Sequence, residues 1–401
     1  MVSTVTSYTD LRNRALPGAG YDGVVRISVG DYYGTGTLLY DGHAVLTAAH
    51  LFTGTTKSPV VHFETAAGLL DIVGARVLTH AAYDASSNND LALIWLSTAA
   101  PVSADRYQLY RESDEIGQTM TLVGYGKPGT GSTGVQSGYS GEPLRQKASN
   151  MFEADMSLLK QEFGAGMSWS PLAGSQITAD FDDGLYAHDA FGRLIGRDQL
   201  GLGLLEGLIT SGDSGGPAFI RNALAGVASY SASLYVGDTA PDADKTVNST
   251  FGEIAAWQRV SYYQQWIDQN MRAAYPNAPT RPEEVQKRVA EGNTGTTYAY
   301  FLLQFTGVRA DASQVLSVDY ATRDGTAIKG QDYVAASGTL KLYPGEVQAV
   351  IPVEIIGDTA PEPDEVFYLD VTHPVGGSFG PGVVTLTAMR TIVNDDGSWL
   401  S

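Results

Sequence analysis

The chain has 401 residues, with 25 Lys and Arg against 44 Asp and Glu, so its formal net charge is −19. That surplus of carboxylate repels phosphate backbones and anionic lipid, which excludes electrostatic nucleic-acid binding and a basic membrane anchor, and it offers hard oxygen ligands to calcium. Hydrophobic residues make up 43%, enough for two or three cored domains. No apolar run is long enough to cross a bilayer, so no direct membrane insertion is expected. Cysteine is absent, which removes disulfides, thiol nucleophiles and thiolate metal sites. Gly at 46, Tyr at 22 and only 17% charged residues favour short strands and many turns, so the chain reads as mainly β.

MVSTVTSYTD, at the start, has neither the basic nor the apolar region of a secretory signal, so an exported form is expected to have lost one. Residues 20–127 alternate β-rich runs with turns, which suggests an antiparallel barrel or sandwich. PGTGSTGVQSGYSGEPLRQK, at 128–147, reads as an exposed loop, and strand-like segments resume after about residue 148. WQRVSYYQQWIDQNMRAAY, at 257–275, changes to helical spacing, with Val260, Tyr263, Trp266, Ile267 and Met271 on one face. PNAPTRPEE then reads as a linker, followed by about seven short strands separated by acidic turns, the pattern of a β-sandwich. The expected division is an N-terminal segment 1–19, a first domain 20–275, a linker 276–282 and a second domain 283–397.

Three segments carry chemistry: LTAAH ending at His50, NNDLALIWL with Asp90, and GDSGGP with Ser214. A serine hydroxyl attacks an acyl carbon only if a base takes its proton, and a carboxylate must hold that imidazole in one tautomer. Gly212, Gly215 and Gly216 permit a tight backbone around Ser214, whose N–H can converge with that of Gly212 on a developing oxyanion. The remaining histidines, His43, His62, His80, His188 and His373, lack a comparable local pattern and read as surface or structural.

These segments, in the order His, Asp, Ser, resemble the chymotrypsin/trypsin-like serine peptidase family over residues 20–275, in a bacterial form without disulfides. The resemblance implies a double β-barrel with a C-terminal helix. His50 becomes the general base, Asp90 the orienting carboxylate, Ser214 the nucleophile, and Gly212 with Ser214 the oxyanion hole. It also puts Ser229 and Ser231 on the strand beside the substrate. At the position where members that cleave after Arg or Lys carry an aspartate, this chain has Leu208, which implies uncharged P1 side chains, because a cation there would be left unpaired. No IVGG-like start is visible to pair with Asp213, and the interval from Asp90 to Ser214 carries surplus sequence between 128 and 200. Within that surplus, DFDDGLYAHD concentrates Asp180, Asp182, Asp183 and Asp189, either a calcium site without EF-hand spacing or a solvated acidic turn.

AEGNTG, VDYATRDGTAIKGQDY, GTLKLYPGEV, IIGDTAPEPDEVFYLDV and IVNDDG resemble the Calx-beta family, an Ig-like sandwich found in sodium/calcium exchangers. By that resemblance Glu291, Asp324, Asp332, Asp358, Glu362, Asp395 and Asp396 are calcium ligands; the alternative is a polar sandwich end without an ion. Together the readings give a secreted or cell-surface serine endopeptidase acting on proteins or peptides, with structural calcium and no organic cofactor. The rival is a calcium-dependent adhesion protein with a degenerate protease-like domain.

Overall fold

The computed structural model describes residues 2–396. The expected sandwich boundary at residue 397 therefore lies outside the described residues, as does Met1. The chain falls into two compact units, one including His43–Ser97 and Ser103–Gln264, the other running from Gln265 onward.

In the first unit, six strands close into a barrel: β1 (Val24–Val29), β2 (Tyr32–Leu38), β3 (Ala44–Thr47), β4 (Val60–Thr65), β5 (Gly68–Thr79) and β6 (Ala92–Leu96), in the order β1-β2-β3-β6-β5-β4. Alternation decides which side faces in. Along β4, Val61, Phe63 and Thr65 are buried while Val60, His62 and Glu64 are only half so. The second half-barrel is a seven-stranded sheet built from β7 (Thr119–Gly124), β8 (Gln146–Met151), β9 (Ala154–Asp155), β10 (Gln176–Asp180), β11 (Pro217–Ile220), β12 (Ala223–Ala232) and β13 (Ile254–Arg259). Its order is β8-β7-β11-β12-β13-β10-β9, around a core that includes Phe152, Ile177, Leu208 and Trp257.

Three local expectations change. The helix expected from residue 257 begins only at Val260, as α3 (Val260–Arg272), because Trp257 and Gln258 pair with Ala228 and Val227 and so belong to β13. The loop at 128–147 is exposed only in part. Gly129–Thr130 pairs with Ser3–Thr4, which also pairs with Gly207–Leu208, so Gly129, Gly131 and Gly134 are buried. The surplus region is not all strand and loop either. It holds two short helices, α1 (Met156–Phe163) and α2 (Ala190–Ile195), whose N-termini are capped by Asp155 and Asp189.

With no disulfide, polar clamps hold distant segments of this unit together. Arg145, fully buried, pairs with Asp22 Oδ1 at 2.7 Å and donates to the carbonyls of Ala15 at 3.0 Å and Glu64 at 2.9 Å.

The second unit is the sandwich. β14 (Arg288–Ala290), β16 (Leu316–Asp324), β17 (Ser337–Leu342), β19 (Glu365–Val375) and β20 (Thr385–Val393) form one sheet in the order β14-β20-β19-β16-β17. β15 (Thr296–Gln304) and β18 (Gln348–Ile356) form the other. Between them Tyr333 stacks on Phe367 with centroids 4.7 Å apart, and Phe301 meets Phe367 edge-on.

Candidate active site

His50 sits in a single turn of 3-10 helix directly after β3, and Asp90 lies just before β6, the neighbour of β3 in the barrel. Two adjacent strands thus deliver the imidazole and the carboxylate to one end of the barrel. Asp90 Oδ2 lies 2.7 Å from His50 Nδ1, and Asp90 Oδ1 accepts the His50 backbone N–H at 2.8 Å. A carboxylate only accepts, so the imidazole hydrogen is on Nδ1 and the Nε2 lone pair is free to take a proton. Ser229 Oγ donates to Asp90 Oδ2 at 2.5 Å. Asp90 is buried, and three donors satisfy its two oxygens.

Ser214 follows from the second half-barrel, on the turn into β11. It shares a cleft of about 520 Å³ with His50, Gly212, Tyr33 and Lys57. Among the described residues no protein group hydrogen-bonds the Ser214 hydroxyl. Two backbone N–H groups are preset beside it. Lys127 N–H anchors the Ser211 carbonyl at 2.8 Å, and Gly216 N–H anchors the Asp213 carbonyl at 2.8 Å. Across a trans peptide the N–H points opposite its carbonyl, so the Gly212 and Ser214 amides are turned away from these anchors, and both residues line the cleft. Gly212 has φ +100°, and a Cβ there would lie 2.6 Å from Tyr33 Cε2. Gly215, at φ +81°, would place a Cβ 2.0 Å from Thr47 Oγ1. These two glycines allow the loop its shape.

The loop is tied to both half-barrels. Thr35, on β2, donates its hydroxyl to the Gly212 carbonyl at 2.9 Å and its N–H to the Ser214 carbonyl at 2.9 Å. Asp213 is inaccessible to water, which pushes its carboxyl up. The N–H groups of Gly126 at 2.7 Å and Thr210 at 2.8 Å act against that push.

Leu208 is fully buried, packed in the second core and paired with Ser3, and it is not among the residues that line the cleft. Ser231 lies half-buried on β12 opposite Ala255. Ser229 shares that strand, but its hydroxyl is turned to Asp90, a contact that spacing in the sequence did not reveal. A second Ser–His–Asp row crosses the first barrel: Ser28 Oγ is 2.8 Å from His62 Nε2, and His62 Nδ1 is 2.7 Å from Asp71 Oδ1. Ser28 is paired on both sides, with β2 and β4, so its flanking backbone belongs to the sheet and forms no oxyanion pocket.

Among the sandwich acids, the structure gathers two trios. Glu291, Asp358 and Asp396 form one, and Asp332, Glu362 and Glu365 the other, with one oxygen of each residue within 4.8 Å of the others in its trio. Glu291 is pushed up to about 7, first by burial and then by the neighbouring Asp358 and Asp396 charges. Asp324 joins neither trio, being held by the Tyr333 hydroxyl and by the Lys329 N–H at 3.0 Å. Asp395 accepts the Gly292 N–H at 3.2 Å. Glu365, pushed up to about 7 by burial and by its contact with Asp332, was not expected, because it opens a strand and does not sit in a turn.

Residues 15–164 match the trypsin family model, and residues 285–396 match the Calx-beta domain model. The chain carries a trypsin domain followed by a Calx-beta domain. The second domain is 38% identical over 88 residues to the sodium/calcium exchanger Calx of Drosophila melanogaster, covering 22% of this chain and 9% of the exchanger. It is 35% identical over 108 residues to human sodium/calcium exchanger 2, covering 24% of this chain and 12% of that protein. The chain thus spans only a small part of the exchangers it matches. A solved structure of neuropsin, a serine protease expressed in the limbic system of mouse brain, aligns over 65% of this chain and 98% of its own, at 17% identity and a TM-score of 0.45. Among the described residues, no helix is long and apolar enough to cross a membrane.

Proposed function

We propose that this chain is a secreted serine endopeptidase whose Calx-beta domain binds calcium. The observation that carries the reading is a single cleft lined by His50, already oriented by Asp90, by Ser214, and by the two residues whose amides are preset. Ser214 Oγ bonds to the scissile carbonyl carbon as its proton passes to His50 Nε2. The carbonyl π electrons move onto oxygen, where the Gly212 and Ser214 amides receive the charge. Collapse breaks the C–N bond, the imidazolium gives its proton to the leaving amine, and an acyl-enzyme remains. Water, deprotonated by His50, then attacks the ester, and the second collapse returns the proton to Ser214.

Position 208 holds a core-packed leucine that does not line the cleft, so it offers no carboxylate to a basic P1 side chain, and uncharged P1 side chains are the expected preference. A peptide library showing strong preference for Arg or Lys would overturn that part. Calcium, when bound to the sandwich, would neutralise the mutual repulsion of its acids, with Glu291, Asp358 and Asp396 as one set of ligands and Asp332, Glu362 and Glu365 as the other. Glu291 Oε1 and Asp396 Oδ2, without a hydrogen-bond partner among the described residues, fit that role.

The deciding test is labelling with a fluorophosphonate, mapped by peptide mass. Wild-type protein is expected to be modified at Ser214, and Ser214→Ala and His50→Ala to remain unmodified. An unlabelled wild type, with and without calcium, would sink the peptidase reading.

A further inference from the structure

The acidic stretch after β10 is not a solvated turn. Asp180 ends β10 opposite Ile254 of β13, and Asp182 follows two residues later. Glu153, just before β9, donates its N–H to the Thr178 carbonyl at 2.9 Å, which brings its side chain to the same end of the sheet. These three acids are 0%, 2% and 7% exposed for Asp180, Asp182 and Glu153. One carboxylate oxygen from each lies within 4.8 Å of the others.

Carboxylates held this close and out of water repel one another unless they are protonated or share a cation. The protein answers only part of them. Asp180 Oδ2 accepts the Phe191 N–H at 3.0 Å, and Glu153 Oε1 accepts the Asp180 N–H at 3.4 Å. Glu153 Oε2, Asp180 Oδ1 and both oxygens of Asp182 have no hydrogen-bond partner among the described residues, although all are sealed from solvent. Around them the 181–206 segment closes with acids of its own. Glu206 Oε1 accepts the Asp182 N–H at 2.9 Å, and Asp189 caps α2 while its Oδ2 is left unanswered.

We propose that Glu153, Asp180 and Asp182 form a calcium site inside the trypsin domain, separate from the acidic trios of the sandwich. The donor set is oxygen only, which suits a hard cation and disfavours zinc. It is also buried and irregular. Magnesium demands near-octahedral geometry and keeps several waters, whereas calcium accepts about six to eight oxygens in flexible arrangements. The ion joins the approach to β9, the end of β10 and the segment leading to α2. β10 pairs with β13, and β13 pairs with β12, the strand that carries Ser229. Calcium therefore braces the sheet behind the cleft and takes no part in the chemistry.

The test reads metal content and melting of the full chain, so it stands or falls independently of the hydrolytic reading. In a chain carrying Glu291→Gln, Asp358→Asn, Asp396→Asn, Asp332→Asn, Glu362→Gln and Glu365→Gln, one tightly held calcium per chain is expected after desalting, and added calcium raises the melting temperature. Adding Asp182→Asn removes both the ion and the shift. Should that variant fail to fold, Glu153→Gln is the second probe, with the same outcome expected. No calcium in the six-fold variant, or calcium and shift retained after both substitutions, overturns the site. Equal retention of magnesium overturns the choice of cation.

Discussion

Asp90 and Asp182 are almost equally hidden from water, at 0% and 2% exposure, yet their oxygens meet opposite surroundings. Asp90 receives the His50 backbone N–H, the His50 ring N–H and the Ser229 hydroxyl. Among the described residues no donor reaches the Asp182 oxygens, and its neighbours Glu153 and Asp180 are acids. Burying a charge costs several kcal/mol unless donors or a counter-ion answer it. In one place the fold supplies the answer itself; in the other it assembles the negative half of a pair.

Substitution breaks the comparison most sharply at Asp90. Asp90→Asn keeps the shape but gives the ring an N–H donor where it had an acceptor, which favours the wrong tautomer. Steady-state peptide hydrolysis is expected to fall by about 10⁴-fold in kcat. A loss under tenfold would mean that the three donors serve stability alone.

The next effect is on stability and its pH dependence. Burial raises Glu153, Asp180 and Asp182, and it lifts Glu206 from 4.5 to about 7. In chelator the folded domain therefore holds protons that the unfolded chain has released. Stability is greatest below the ordinary carboxylate range and is lost as pH rises through neutrality, by up to about 1.4 kcal/mol per pH unit for each such group. With calcium the fall is suppressed, because the ion takes the place of the bound protons, and the gain over chelator widens as pH rises. Denaturant midpoints of the trypsin domain, with chelator and with calcium, are expected to differ little at pH 5 and clearly at pH 7.5; Asp182→Asn should shrink both the chelator slope and that difference.

Smallest is Ser229→Ala, which removes one of the three donors to Asp90. About a tenfold drop in kcat is expected with little change in KM, the size of one hydrogen bond to a charged group. Ser28→Ala, in the row on the first barrel, should leave kinetics unchanged. Equal losses from the two would dissolve the distinction between the rows.

Much of the site was legible because its signals are local. The His50, Asp90 and Ser214 motifs each span a few residues, and glycines flanking Ser214 announce a strained turn. The sandwich strands were legible for the same reason, as short alternating runs between acidic turns. What was not legible depends on strands that meet across the fold. Ser229 could be put on a strand beside the cleft, but only the barrel's closure turns its hydroxyl to Asp90, 139 positions away. Glu153 and Glu206 sit in apolar surroundings, MFEAD and LLEGL, and an acid at a position facing the core was the one hint that they would meet Asp180 and Asp182. The helix start at Val260 was missed because Trp257 and Gln258 fit an amphipathic helix as well as a strand, and pairing with β12 decided it.

Arg145 carries a consequence for handling the molecule. Its guanidinium gathers Ala15, Asp22 and Glu64 from three separate stretches, joining the parts of the domain without any sulfur bond. A clamp of that kind cannot be cut by thiols or scrambled by oxidation. Unfolding curves recorded with and without dithiothreitol should superimpose, and refolding from denaturant has no pairing step to slow it.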